Sequence, residues 1–237
     1  MSDVHIGADI GDPAERENRF LKFLRSIPRD TAKAVYLLGD IWDFWYEYHD
    51  LVPKEGARVT AQMAELADAG VEVHFFPGNH DMWVGNFFEQ IGVQMHQQPY
   101  FATLEGKEFC MGHGDIVGGT DGGYRFLHWV YTSPVIQFIF RIMHPRTLFA
   151  ISRKWFRISR NSHKPFEFVP HNQKIVRWAE AESAGRNVDY FVFGHFHCKV
   201  DITLQSGSRF LIMEDWVKSS PYLYFDGENL ISKTFSE

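Results

Sequence analysis

With 237 residues, 45% of them hydrophobic, the chain can bury one sizeable core, which favours a single α/β domain over 1–237 with an insertion rather than two domains. A formal charge of −6 gives no overall basic field for nucleic acid, and two cysteines, Cys110 and Cys198, make neither a disulfide framework nor a zinc-type pair. No apolar run reaches the roughly 20 residues that cross a bilayer, and residues 1–5 lack the basic and apolar regions of a signal peptide, so the chain is expected in solution or on a membrane surface.

In chain order, Asp12 before Pro13 reads as an N-cap and first-turn proline, opening a helix over 13–27 with Phe20, Leu21, Phe23 and Leu24 on its core face. A buried-type strand over 35–38 runs into Gly39-Asp40, a helix follows over 60–69, and a second strand over 71–76 runs into Gly78-Asn79-His80-Asp81. Strands over 109–111 and 190–193 run into Gly112-His113-Gly114-Asp115 and Gly194-His195-Phe196-His197, and short strands over 210–213, 222–225 and 230–235 close the chain. Four times a strand ends at a glycine with chelating side chains just past its C-terminal end, where open α/β sheets place their sites. Asp3-Val4-His5 repeats the pattern with only Met1 and Ser2 before it. A complete strand there calls for about four to seven further apolar residues upstream, and without them the chain is expected to be only marginally stable.

Taken together, Asp3, His5, Asp40, Asn79, His113, His195 and His197 form a mixed oxygen and imidazole donor set. Such a set suits Mn²⁺, Fe²⁺ or Zn²⁺ better than Ca²⁺ or Mg²⁺, and Mn²⁺ is favoured. One shared carboxylate can bridge two ions about 3.5–4 Å apart, the arrangement used in phosphoester hydrolysis, and Asp40 is the natural bridge.

The order Asp-x-His, Gly-Asp-x-x-Asp, Gly-Asn-His-Asp, Gly-His and Gly-His-x-His, from Asp3 to His197, resembles the calcineurin-like metallophosphoesterase signature. Gly39-Asp40-Ile41-Trp42-Asp43-Phe44-Trp45 departs from the Gly-Asp-x-Val-Asp-Arg-Gly of protein Ser/Thr phosphatases. Together with the stretch from Met111 through Tyr124, it is similar to the UDP-2,3-diacylglucosamine pyrophosphatase family of lipid A biosynthesis. The resemblance implies a four-layer α-β-β-α sandwich with a helical insertion at about 121–165. It also implies one ion held by Asp3, His5, Asp40 and His197, and another held by Asp40, Asn79, His113 and His195. The implied reaction is cleavage of the diphosphate of UDP-2,3-diacylglucosamine to UMP and 2,3-diacylglucosamine 1-phosphate, at the cytoplasmic face of the inner membrane. Well-known members carry Arg where this chain has His80; a His-Asp pair at that place is the general phosphoesterase pattern. In that pattern His80 protonates or stabilises the leaving oxygen, Asp81 orients it, and His195 helps to neutralise phosphoryl charge. Asp121, Tyr124, Arg160, Ser162 and Lys164 are candidates for substrate contact.

Residues 125–164 hold eight basic residues and no Asp or Glu, so with the whole chain at −6 the remainder carries −14. Aromatic and aliphatic residues are interleaved with the charge, the composition of an interfacial helix or a pocket for an anionic lipid-linked nucleotide. A helical hairpin that buries its apolar face on the core and solvates its arginines would have the same composition. Nucleic acid is not an expected partner, and nothing points to a protein partner. The competing functions are a general phosphodiesterase or phosphatase acting on nucleotides, and an inactive metal-bound scaffold.

Overall fold

The computed structural model describes residues 1–119, 122–162, 168–217 and 219–236, with the backbone alone described at 160–162. Asp121 and Lys164 lie outside the described residues, as do the side chains of Arg160 and Ser162.

The first helix, α1 (Pro13–Ser26), opens as its sequence predicts: Asp12 Oδ1 accepts the Glu15 N–H at 2.9 Å and Pro13 fills the first turn. The second, α2 (Ala57–Asp68), begins three residues before the expected position, because Gly56 takes a left-handed conformation (φ 75°) and its carbonyl accepts the Val59 and Thr60 N–H groups. Both helices bury their apolar faces on a parallel sheet of β1 (Ala34–Leu37), β2 (Glu72–Phe75) and β3 (Val93–Met95), in the order β1-β2-β3, with the short α3 (Phe87–Gln90) between β2 and β3. The start of the chain lies along β1: the Met1 amino group donates to Tyr36 O, Leu38 N–H to Met1 O and Asp3 N–H to Gly39 O, while Trp216 N–H donates to Asp3 O.

A second sheet has the order β4-β5-β6-β8-β7, built from β4 (Tyr100–Leu104), β5 (Lys107–Met111), β6 (Tyr190–Phe193), β7 (Val200–Thr203) and β8 (Arg209–Ile212). The outer face of this sheet, with Phe191, Phe193 and Phe210, packs against Ile175, Val176 and Ala179 of α7 (Lys174–Gly185). Its inner face, with Phe109, Met111, Val192 and Leu211, meets Leu38 and Phe76 of the first sheet. The hairpin β9 (Pro221–Phe225) and β10 (Leu230–Thr234) lies at the edge of that contact. The result is a four-layer α-β-β-α sandwich.

Between β5 and α7 the chain forms α4 (Gly122–Thr132), α5 (Pro134–Ile142) and α6 (Pro145–Ser162). One face of this insertion docks beside the first sheet: Leu148 and Phe156 pack with Phe44, Tyr46 and Trp83, and Trp83 Nε1 donates to Tyr131 O at 3.1 Å. Arg157 pairs with Asp9 at 3.0 Å and Arg153 with Glu55 at 3.6 Å, so part of its basic charge is spent on docking. The other face is open. Phe126, Trp129, Val135, Phe138 and Ile142 are 61% to 68% exposed. No described helix is long and apolar enough to cross a membrane.

Between the sheets, the buried His74 of β2 stacks on Tyr36 (4.3 Å between ring centroids) and shares a 2.8 Å hydrogen bond with His96. Its Nε2 faces Glu72 at 3.3 Å, and His96 stacks in turn on Phe76. Burial lowers both imidazoles below 6.5, for His74 against the opposing pull of Glu72 and for His96 with the help of His74. The unfolded chain therefore takes up protons first, so this contribution to stability is intact above about pH 6.5 and is lost as the pH falls below it. Between about pH 7.5 and 5.5 the melting temperature should drop, and drop less in His74→Phe, which keeps the stack on Tyr36. Equal drops in both proteins would show that the pair carries none of the acid sensitivity.

Candidate dinuclear metal centre

The chelating residues are set by an unusual backbone. Among the described residues six non-glycine residues have positive φ, and five of them are Asp3, His5, Asp40, His195 and His197, at 51° to 69°. Left-handed backbone turns each side chain sharply off its strand end and costs about 1 kcal/mol per residue. Two glycines make room for the result: a Cβ on Gly78 would collide with the Asp40 carboxylate, and one on Gly194 with that of Asp3.

Ligand atoms of Asp3, His5, Asp40 and His197 all lie within 4.8 Å of one another. His5 Nε2 and His197 Nε2 face each other at 3.4 Å, with Asp3 Oδ1 3.4 Å from His197 Nε2 and Asp40 Oδ2 4.0 Å from His5 Nε2. On its other side Asp40 Oδ2 stands 3.3 Å from His113 Nε2, which is 3.3 Å from Asn79 Oδ1. The His195 ring is 5.1 Å from that of His113. Bonds of about 2.0–2.2 Å to one ion place neighbouring donors about 3–4 Å apart, so the first group is spaced to hold one ion, and the Asp40 carboxylate reaches from it toward His113, whose neighbours Asn79 and His195 stand farther apart than the first group.

A surrounding layer fixes the rings. Asp43 Oδ1 lies 3.6 Å from His5 Nδ1 and 3.4 Å from His80 Nδ1, and the His80 Nδ1–H donates to Asp43 O at 2.9 Å. Asp215 Oδ2 meets His197 Nδ1 at 3.2 Å, and Leu38 O accepts from His113 Nδ1 at 3.0 Å. At His80, His113 and His197 Nδ1 is engaged outside the cluster and Nε2 is left for the centre, while the buried His5 Nδ1 has the Asp43 carboxylate facing it at 3.6 Å without a hydrogen bond. Arg16, only 2% exposed, donates to the carbonyls of His5, Ala8 and Ile10 at 2.8–2.9 Å and so holds the loop that carries His5.

Asp81 does not orient His80. Its carboxylate accepts the backbone N–H groups of Gly78, Asp40, Ile41 and Trp42 at 2.7–3.3 Å. It therefore ties two ligand loops together, and Asp43 takes the place expected for it. Burial and the Asp40 charge push the Asp81 carboxyl up against those four donors. At Asp40 burial also pushes upward, but His113 and His80 outweigh it and hold the carboxyl well below the usual range. Burial and the charge of His113 push His195 down to about 4.

The centre opens into a cavity of about 1040 Å³, lined by His5, Asp40, Asn79, His80, His195 and His197, with Asp3 and His113 fully buried behind. Tyr124 also lines it and donates to Asp115 Oδ2 at 2.8 Å, and Gln98 Nε2 holds Asp115 Oδ1 at 2.6 Å. His80 stacks on Phe156 of α6 at 4.2 Å, so the insertion roofs the site. Asp43, Arg16, Asp115 and Asp215 were not singled out by sequence. Asp43 and Asp115 stand inside recognisable motifs, and Arg16 is a lone cation one turn before Phe20 on an apolar helix face; Asp215 carries no local signal.

This centre at the strand ends of a four-layer sandwich defines the class: the chain belongs to the calcineurin-like phosphoesterase family, whose sequence model matches residues 1–199. It is accordingly a metal-dependent hydrolase with a dinuclear metal site. Among curated proteins the chain is similar to the UDP-2,3-diacylglucosamine hydrolase of Porphyromonas gingivalis (strain ATCC BAA-308 / W83), 33% identical over 254 aligned positions covering 100% of this chain and 96% of that protein. The protein of that name from Nitrosococcus oceani is 30% identical, covering 83% of this chain and 77% of its own length. The one from Neisseria gonorrhoeae is 26% identical, covering 98% and 95%.

Proposed function

We propose that the chain hydrolyses the diphosphate of UDP-2,3-diacylglucosamine to UMP and 2,3-diacylglucosamine 1-phosphate, in one domain over 1–237 with the insertion as lid, and with Mn²⁺ at both metal positions. One observation carries the reading: the metal cluster opens into a cavity of about 1040 Å³ with one wall supplied by Met82, Leu127, Tyr131, Trp155 and Phe156. Ligand pockets usually span about 300–1000 Å³, so the space exceeds what a simple nucleotide fills, and the apolar wall suits acyl chains.

Two divalent ions at this donor set supply charge for the phosphoryl oxygens and a nucleophile from water at neutral pH. The water oxygen adds to the uridine-side phosphorus, the bond to the bridging oxygen breaks, and that oxygen leaves on the sugar phosphate. His80, anchored through Nδ1 by Asp43, presents Nε2 to the cavity and donates to the departing oxygen. His195 and Asn79 complete the second donor set. Tyr124 is held at the cavity wall by Asp115 and contacts the substrate; Asp121, Arg160, Ser162 and Lys164 are the further proposed contacts.

Helices α4 and α5 expose five large apolar side chains, and Arg125, Arg141 and Arg146 lie close to them in sequence. Exposed apolar groups interleaved in sequence with cations suit the cytoplasmic surface of an anionic inner membrane, the proposed location. The second reading, a general nucleotide phosphodiesterase, is favoured by His80 alone. Assay of the Mn²⁺-loaded protein on UDP-2,3-diacylglucosamine in mixed micelles, beside UDP-glucose and a soluble phosphodiester, separates the two. The proposal expects kcat/KM for the lipid to exceed the others by roughly 10²-fold or more, since remote acyl binding is used in the transition state. Equal values on all three substrates would leave the second reading standing.

A further inference from the structure

Another part of the cavity lining is mostly polar where the first is mostly apolar. It is built by Asn172, Gln173, Lys174 and Arg177, from a 3-10 turn (Pro170–Asn172) and the first turns of α7, together with Phe196. Phe196 stands between the ligands His195 and His197, and its ring is braced edge-on by Phe168 at 5.3 Å and 82°. Gln173 occupies the N-cap position of α7 without a side-chain capping bond. Lys174 and Arg177 bring two cations to a remainder of the chain that is otherwise strongly acidic.

We infer that this polar wall is the subsite for the nucleoside monophosphate half of the substrate, with Phe196 as the stacking platform for the base. The inference rests on the proposed diphosphate substrate. A diphosphate held at the metals must send its two halves to different walls. The acylated sugar loses least against Leu127, Trp155 and Phe156, where the polar edges of a pyrimidine would go unpaired. Against the polar lining, the amides of Asn172 and Gln173 satisfy those edges, and Lys174 and Arg177 offset the nucleotide charge. A base stacks on an aromatic face whatever its sequence, so Phe196 supplies affinity and the two amides supply selectivity.

Inhibition by the two products reads each wall separately. In the Mn²⁺-loaded protein, Phe196→Ala should weaken UMP as an inhibitor by roughly tenfold, leave 2,3-diacylglucosamine 1-phosphate and inorganic phosphate unchanged within about twofold, and be rescued by Phe196→Tyr. Gln173→Ala, on another element and away from the metal ligands, should narrow the preference for UMP over AMP. Calorimetric titration of UMP reads the same wall without turnover, so it stands even if the lipid diphosphate proves not to be the substrate. Equal weakening of both products by Phe196→Ala, or UMP affinity unmoved by both variants, would overturn the assignment.

Discussion

Replacing Asp40 by alanine is expected to abolish measurable turnover and to cut bound metal from two ions per chain to one or fewer, with the chain still folded. Among the described residues Asp40 is the only carboxylate with an oxygen within 4.0 Å of imidazole nitrogens from both halves of the donor set: its Oδ2 lies 3.3 Å from His113 Nε2 and 4.0 Å from His5 Nε2, while Oδ1 accepts the His80 N–H at 2.8 Å. Losing a single preorganised charge-stabilising group commonly costs about 10²–10³ in rate. Asp40 supplies a charge to both positions, so a loss of at least about 10³ is expected. The fold should survive because its core lies elsewhere, and His113 and His80 can give up their protons when the carboxylate is gone. Metal analysis after gel filtration and a circular dichroism spectrum check both parts. Near-wild-type turnover of Asp40→Ala in metal-supplemented buffer would refute the two-ion assignment.

His80→Ala should lower kcat by about 10²–10⁴ while both ions remain bound. His80 is no ligand in the arrangement described; it sits at the cavity wall, clasped by Asp43 and stacked on Phe156. Burial disfavours its charge, but Asp40 and Asp43 outweigh that and push it up to about 9 in the metal-free chain; of the two, Asp43, which faces Nδ1 at 3.4 Å, is the one not assigned to a metal. His80→Arg divides the two ways this residue can act. A permanent cation replaces charge stabilisation but cannot give up its proton, so recovery of most of kcat would assign an electrostatic role, and a rate as low as that of alanine would assign proton donation. Unchanged kcat in His80→Ala would reduce His80 to a packing residue.

The layered core was legible because its strands announce themselves: Val35-Tyr36-Leu37-Leu38 and Tyr190-Phe191-Val192-Phe193 are apolar runs stopped by glycine, and such runs are buried on both faces. Five of the seven proposed donors, Asp40, Asn79, His113, His195 and His197, could be picked out for the same reason, since they follow those glycines, whereas Asp3 and His5 have no glycine before them. What the sequence withheld was contact at a distance. His5 and His197 face each other across 192 positions, and Asp215 supports His197 from a loop with no pattern of its own. Asp81 was misread because a carboxylate next to His80 in sequence suggests a partner. The bend that brings Asn79 to the centre carries Asp81 onto four backbone amides, and Asp43, 37 positions from His80, arrives in its stead. The start of α2 was misjudged because it depends on a left-handed Gly56, and nothing in a composition window marks that conformation.

The left-handed backbone at Asp3, His5, Asp40, His195 and His197 has a consequence for how such a chain drifts under selection. At about 1 kcal/mol each, the five together hold several kcal/mol in a molecule whose whole stability is expected to be about 5–15. A population selected only for heat resistance would therefore profit most from glycine at these five places, since glycine adopts that conformation without penalty. Every such gain would delete a donor. Thermal robustness and turnover are thus antagonistic at the same residues, and the safest ground for stabilising substitutions lies away from the strand ends, on the outer helices and the β9–β10 hairpin.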